Sequence, residues 1–565
     1  MEARPDLSQQ PGHYGDMPKK RKLEPASDRP IEPAWKMELF DSSNASAQVL
    51  ATIDTTKSAS LDSLVPLDVQ QIILDRYKFQ ISRLYPVVPL HPACGLTELK
   101  VMSPILLHAI IFASAHGILS IEDFDAVALS FIATIATEVL TAGKKSMELL
   151  QALQVACLWY CAPQLHDNIT TLIQFTHAAK TIAVNLGCGG ELDPPSEYAP
   201  SDLVEGSTIP AKRAWLVCFV VETNSLFHSR RPSDQRWTAQ HSACLDGLDD
   251  SGNAGPVDRL LAHQIRGERL CLSIMQRLAL AESIPSATIG EPLTTLTVQD
   301  LESEILEWRS GIPTDLMHPN LQTLGYTAEI LLHEAVLHTD TNKQSFAVPY
   351  LPHRLLIGGF PAPVVNQYNT YSLQALNRAC HNAIDSGCSV SKEDFLSLPY
   401  FLFAPRIAYA VFILAKIYIA VTAPGNTFGA IMTADEVRLD HYLAVCADFD
   451  RRTEYDRSPG AATRILKGVP MLRVWLAQYE QQSALFSETI NNAYDSEALQ
   501  HPPASGTFSM LPVGSSKSVL ETALLTDIDY NWDGFLDLGP NAGDFSLTDF
   551  FSFAEMDGSM GNVDG

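Results

Sequence analysis

The chain has 565 residues, of which 46% are apolar and 18% charged, and a formal net charge of −26. That apolar share supports a sizeable core and excludes a chain that is disordered throughout. The acidic balance excludes a body that coats a nucleic-acid backbone, which needs Lys and Arg facing phosphate.

Residues 1 to about 60 are rich in Pro, Ser, Asp and Lys and lack apolar periodicity, which predicts a disordered arm. The arm has no apolar h-region, so a signal peptide is not expected. From Leu67 onward the pattern is helical. Val69, Ile73, Tyr77, Ile81 and Leu84 form one stripe at spacings of four and three, stopped by Pro86. Ser103 and Pro104 open the next helix and Gly117 follows its end. Helices are then expected at about 122–142, 146–161 and 167–186, with Gly143 and Gly187 ending the first and last. Pro210 opens another that runs to Ser229, and an acidic, Gly-rich linker is read at Asp246 to Pro256.

A helix is expected from Val257 to Ser283. Thr297 to Asp300 then reads as a capping box before Leu301, Ile305 and Trp308, with Gly311 as the stop. Further helices are placed near 326–339, 367–387, 396–422, 434–450 and 460–486, and the 340–365 stretch reads as a Pro- and Gly-bearing loop. The apolar run Leu398 to Val421 is long enough to suggest a membrane span. It contains Pro405, Arg406 and Lys416, so a buried core helix fits better. Alternating β patterns are almost absent and no fixed-period repeat is visible. The expected fold is all-α, a large irregular multi-helix body at about 65–485 between a disordered arm at 1–60 and an acidic tail at 500–565.

The ten cysteines, from Cys94 to Cys446, are scattered through apolar helical stretches with no C-x-x-C spacing, and read as small buried hydrophobes. His333 and His338 superficially resemble a zinc-protease helix. Their spacing of five places them about 140° apart on the helical wheel, so they read as ordinary helix residues. Gly187 to Gly190 follows a helix and lacks a third spaced glycine, so it is no dinucleotide fingerprint. No Walker A sequence and no G-x-S-x-G elbow occurs. Catalysis therefore has no positive signal, although a helical enzyme with dispersed site residues stays open.

Two motifs point to regulation instead. Lys19, Lys20, Arg21 and Lys22 form a basic run in the arm, which suits an extended nuclear import signal. A solvated charge run is the plainer reading. From Glu521 to the end there are ten acidic residues and no Lys or Arg. There Asp527, Asp529, Asp533, Asp537, Asp544 and Asp549 alternate with Tyr530, Trp532, Phe535, Leu536, Phe545, Phe550, Phe551 and Phe553. Repulsion between carboxylates keeps such a segment open and its aromatics available to an apolar groove on a coactivator. A solubilising tail is the plainer reading, but it would not need so many aromatic rings. Asp529 to Asp537 also resembles the start of a calcium loop. The twelfth position is Pro540, which cannot supply the bidentate carboxylate, so calcium is not expected.

Several segments together resemble the middle homology region, the regulatory domain of fungal binuclear zinc-cluster transcription factors. They are Ile73 to Phe79 with Leu84 to Leu90, Ser103 to Ile110, Ser146 to Leu153 and His177 to Gly187. The most telling set is Arg213 and Trp215 followed by Arg230, Arg231 and Pro232, similar to the family's paired basic and Trp motif with its later Arg-Pro. Leu398 to Phe403 with Arg406, Tyr409 and Lys416 looks like a late helix of the branch containing leucine-biosynthesis and weak-acid-stress regulators. The resemblance implies a nuclear transcription regulator, with coactivators and a homodimer or heterodimer as partners, no membrane, and target genes in metabolic or secondary-metabolite clusters. It also implies zinc as cofactor, but the family's DNA-reading module needs six cysteines in a short basic segment and the first cysteine here is Cys94. Zinc and direct DNA contact are therefore not carried over, so DNA engagement is expected to be indirect. Truncation, an alternative start or a DNA-independent co-regulator pairing with a full-length relative all remain open. Arg213, Trp215, Arg230 and Arg231 read as structural bridges and core filling, with a ligand or inhibitor pocket as the alternative.

Overall fold

A computed structural model describes residues 60–484, apart from 162–168, 190–207, 231–234, 250–254, 282–291, 340, 349, 356–359, 361–364, 424–427, 454–467 and 482. Among these residues the regular structure is helical and no β-strand occurs. The longer helices are α1 (Leu67–Arg76), α2 (Pro104–Ser114), α3 (Ile121–Ile135), α4 (Met147–Leu158), α5 (Ile169–Asn185), α6 (Ile209–Ser229) and α7 (Ala239–Asp249). They continue with α8 (Pro256–Arg277), α9 (Pro292–Ser310), α10 (Pro319–His333), α11 (Gln367–Cys388), α12 (Phe403–Thr422) and α13 (Leu439–Thr453).

Local chemistry sets many of the starts. The side chains of Ser120, Ser146, Thr208 and Asn366 each accept a hydrogen bond from the backbone N–H three residues on. That satisfies one of the orphan donors at a helix N-terminus. Gly117, Gly143 and Gly187 have φ of 74°, 60° and 68°, a left-handed conformation that lets the chain turn after α2, after the π-helical extension of α3 and after α5. α1 continues through a π-helical stretch, Tyr77–Ile81, to Leu84, so the expected stripe holds to its Pro86 stop.

Packing follows the apolar faces. α2 lies against α3 and α4, α4 against α5, and α6 touches α4, α5, α7 and α8. α10 and α11 make the most extensive helix pair, and α12 packs on α10, α11 and α13. Phe112 stacks on Phe124 and Phe131 at centroid distances of 5.7 and 5.5 Å, fixing α2 against α3. The two ends of the body are cross-tied. Trp159 Nε1 donates to Ser397 O at 3.1 Å, and Gln264 Nε2 donates to Leu84 O at 2.8 Å.

α12 is the central helix, and all its residues are buried except Tyr418 and Thr422. It is one of two helices long and apolar enough to cross a membrane, and protein covers it almost completely. The other, Ile121–Thr141, lies mostly at the surface. A helix apolar all round belongs inside a large core.

Several expected boundaries move, each for a tertiary reason. The first four residues of the segment read as an acidic linker, 246–249, end α7, where Leu248 is buried and Asp249 pairs with Arg266, and 250–254 lie outside the described residues. α8 stops at Arg277, not Ser283. Ala279 turns left-handed at φ 51° while its carbonyl accepts from Lys343 Nζ at 3.0 Å. α9 opens on Pro292, which leaves Thr297 inside the helix, so the expected capping box is not a start. α10 begins at Pro319, capped by His318, and gives way after His333 to a 3-10 turn, Glu334–Leu337. The expected 396–422 helix begins only at Phe403. The expected 434–450 helix is split at Arg438, whose φ is 56°.

Close helix approach depends on two glycines. A Cβ at Gly267 would stand 2.5 Å from Leu324 Cδ2 and 2.8 Å from Trp308, and one at Gly387 would stand 2.6 Å from Ile407. Gly267→Val is therefore expected to destabilise the body by about 1–3 kcal/mol through overpacking of α8 against α9 and α10. A lowered urea midpoint at unchanged slope checks this.

Candidate functional site

The sequence set Arg213, Trp215 and Arg230 lies on and just after α6. This helix buries residues on nearly every side, so each polar group it carries needs a partner. Arg213 donates through Nε and Nη2 to Asp258 Oδ1 at 3.0 and 2.5 Å. Asp258 also accepts from Gly255 N at 3.0 Å, so the same carboxylate caps α8 and anchors α6. Trp215 stacks on His241 of α7 at 5.3 Å, and the Lys180 ammonium of α5 lies 4.5 Å from its ring. Arg231 and Pro232 lie outside the described residues, as do Lys19 to Lys22 and every tail residue from Asp527 to Phe553.

Arg230 ends α6 in a left-handed conformation, φ 49°, and is completely buried. Its Nη1 is 2.8 Å from Glu334 Oε1, and its Nη2 donates to Glu334 Oε2 at 3.1 Å and to the Tyr409 hydroxyl at 3.0 Å. The Tyr409 hydroxyl in turn donates to Glu334, and His338 Nε2 stands 3.5 Å from Glu334 Oε1. Burial alone would raise the Glu334 carboxyl, but Arg230, aided by His338 and Tyr409, holds it below the ordinary range. A second buried group lies beside it. Arg406 donates to Glu268 and to Asn224 Oδ1, and Asn224 Nδ2 donates to Glu268 Oε2 at 3.0 Å. Together the two groups tie α6 to α8, α12 and the turn after α10.

Lys416 is the third buried cation of α12's surroundings, and its contacts are neutral. Its Nζ donates to Ser345 Oγ at 2.9 Å and to Arg354 O at 3.1 Å, between the rings of Phe346 and Phe412. Burial pushes its ammonium down to about 7, with Glu334 pulling the other way.

The sequence reads His333 and His338 as ordinary helix residues, but only His333 lies in α10, and His338 follows the 3-10 turn. The turn after α10 sends His333 toward Glu302, 3.5 Å away, and His338 toward Glu334. Among the described residues no group of three or more His, Cys, Asp or Glu is placed to hold a metal ion. The cysteines do not fit a six-ligand zinc cluster. All ten are free thiols and nine are buried, and burial pushes Cys157, Cys218 and Cys271 up to about 12. These sites can hold helices together, and their groups are too buried to meet a substrate. Sequence reading did not select Glu334, Glu268, Arg406 and Tyr409 as site residues. The available signal was charge inside the apolar 398–421 run.

Arg230→Met or Glu334→Leu alone is expected to cost about 3–5 kcal/mol, because each strands a buried charge. The double variant should cost clearly less than the sum, and a double-mutant cycle in urea checks it. For Lys416 the folded pKa is below the unfolded value, so the unfolded chain binds more protons between about pH 7 and 10.5 and stability rises with pH there. Buried thiols act in the opposite sense at higher pH. The stability of the wild type minus that of Lys416→Met cancels them, and should rise by about 1 kcal/mol per pH unit from pH 7 to 8.5.

No protein-family model and no solved structure matches the chain. Three curated fungal proteins do. Over 266 residues the chain is 23% identical to "Transcription factor pbcR" of Emericella nidulans, covering 44% of this chain and 36% of that protein. Over 371 residues it is 22% identical to "Transcriptional regulator WAR1" of Candida albicans, covering 62% and 35%. Over 226 residues it is 26% identical to "Transcription factor opdL" of Penicillium oxalicum, covering 37% and 39%. The chain thus matches little more than a third of the length of each relative. Over part of its length the chain is similar to fungal transcription factors.

Proposed function

We propose that this chain is a nuclear transcription regulator that activates by recruiting a coactivator through its acidic, aromatic tail. The similarity to three fungal transcription regulators carries the regulator reading. The alternation of carboxylates with Trp532, Phe545, Phe550, Phe551 and Phe553 supports activation, because like charges keep the rings available to an apolar groove. Lys19 to Lys22 supplies the import signal, and the 65–485 body supplies dimerisation or autoinhibitory control. The target genes, by family resemblance, belong to a metabolic or secondary-metabolite cluster. The cysteines favour a second reading of the DNA step, in which the chain pairs with a zinc-bearing relative and reaches DNA through it.

The full chain and residues 515–565, each fused to an unrelated DNA-binding domain, are expected to activate a reporter. Trp532→Ala with Phe550→Ala should lower that output several-fold at equal protein level. Reporter activity at background with the intact tail would remove the activation reading and leave the co-regulator one.

A further inference from the structure

We propose that the cleft between α9 and α11 binds a small organic cation, an alkylammonium metabolite held by Glu302 and two tyrosine rings. This goes beyond the regulator reading and does not depend on the tail.

The cleft follows from residue spacing on two helices. On α9, Thr294, Val298 and Glu302 recur every four residues, and on α11, Gln367, Tyr371 and Gln374 recur at four and three, so each set shares one helix face. The two faces enclose about 620 Å³. That volume is within the range of small-molecule sites. The lining is mostly hydroxyls, amides and the rings of Tyr368 and Tyr371, with Glu302 as its carboxylate.

The charge balance selects the ligand. Glu302 keeps 29% of its side-chain surface, yet its Oε1 is buried and accepts no hydrogen bond. The ring facing that oxygen, His333 Nε2 at 3.5 Å, has its pKa pushed by burial down to about 4, so it is neutral at physiological pH. Of the nearby cations, Arg309 pairs with Glu329, and the exposed Arg378 acts on Tyr371 and His333 through its charge but forms no ion pair with Glu302. Burial raises the Glu302 carboxyl, and the hydrogen bond from Tyr371 only partly offsets this. A half-buried carboxylate without an opposing cation is an incomplete pair. An ammonium group completes it with charge-assisted hydrogen bonds, and the exposed Tyr368 and Tyr371 rings add cation–π attraction. An anion would instead meet Glu302 across the same space.

The test is calorimetric titration of the full chain with 1,4-diaminobutane, choline and, as an anionic control, citrate. At least one cation should bind saturably with Kd below about 10 mM. Glu302→Gln should weaken that binding about tenfold while leaving the far-UV helical signal intact. Should Glu302→Gln fail to fold, Tyr368→Ala, an exposed position, carries the same test through weakened choline binding. Absence of saturable cation binding, an isotherm unchanged by the substitution, or citrate binding as tightly as the cations would each overturn the proposal. None of these outcomes bears on reporter activation by the tail, so the two readings fail independently.

Discussion

The body is organised around a guanidinium removed from water. Arg230 has no exposed surface, and a charge in that position is tolerated only beside an opposite charge with its hydrogen bonds satisfied. Glu334 supplies the opposite charge, and Glu334 and Tyr409 accept hydrogen bonds from Arg230 Nη2, from two other parts of the chain. The left-handed turn at the end of α6, the 3-10 turn after α10 and the middle of α12 therefore have to meet in one register. Apolar packing among these helices is tolerant of sliding; a buried ion pair with defined distances is not. Arg406 with Glu268 and Asn224 repeats the device between α12, α8 and α6.

This arrangement explains why the paired Arg and Trp motif sits where it does. Arg213 ties the start of α6 to the cap of α8, Trp215 fills the space against α5 and α7, and Arg230 ties the end of α6 to α10 and α12. The motif serves the assembly of the helices.

The buried pair and the α9–α11 cleft are also neighbours in sequence. His333 faces Glu302 of the cleft, and the next residue, Glu334, faces Arg230. The backbone changes from α-helix to 3-10 turn between those two residues. A single turn of chain thus borders both the solvent-facing cleft and the charged centre of the fold.

Much of this was legible in the sequence. Helix periodicity and Gly117, Gly143 and Gly187 at turns define the all-α class and most helices, because those signals act over one or two turns of chain. Arg406 and Lys416 inside an apolar run marked α12 as a core helix, because such charges need protein partners. The tertiary structure alone decided which partners they have. It also decided that α7 runs on to Asp249, that α8 ends at Arg277, and that Thr297 lies within α9. Each depends on groups far apart in the chain, such as Lys343 on Ala279 or Glu334 on Arg230. Sequence carries the local preferences of a segment, whereas pairing of buried charges is settled only when distant segments exclude water together.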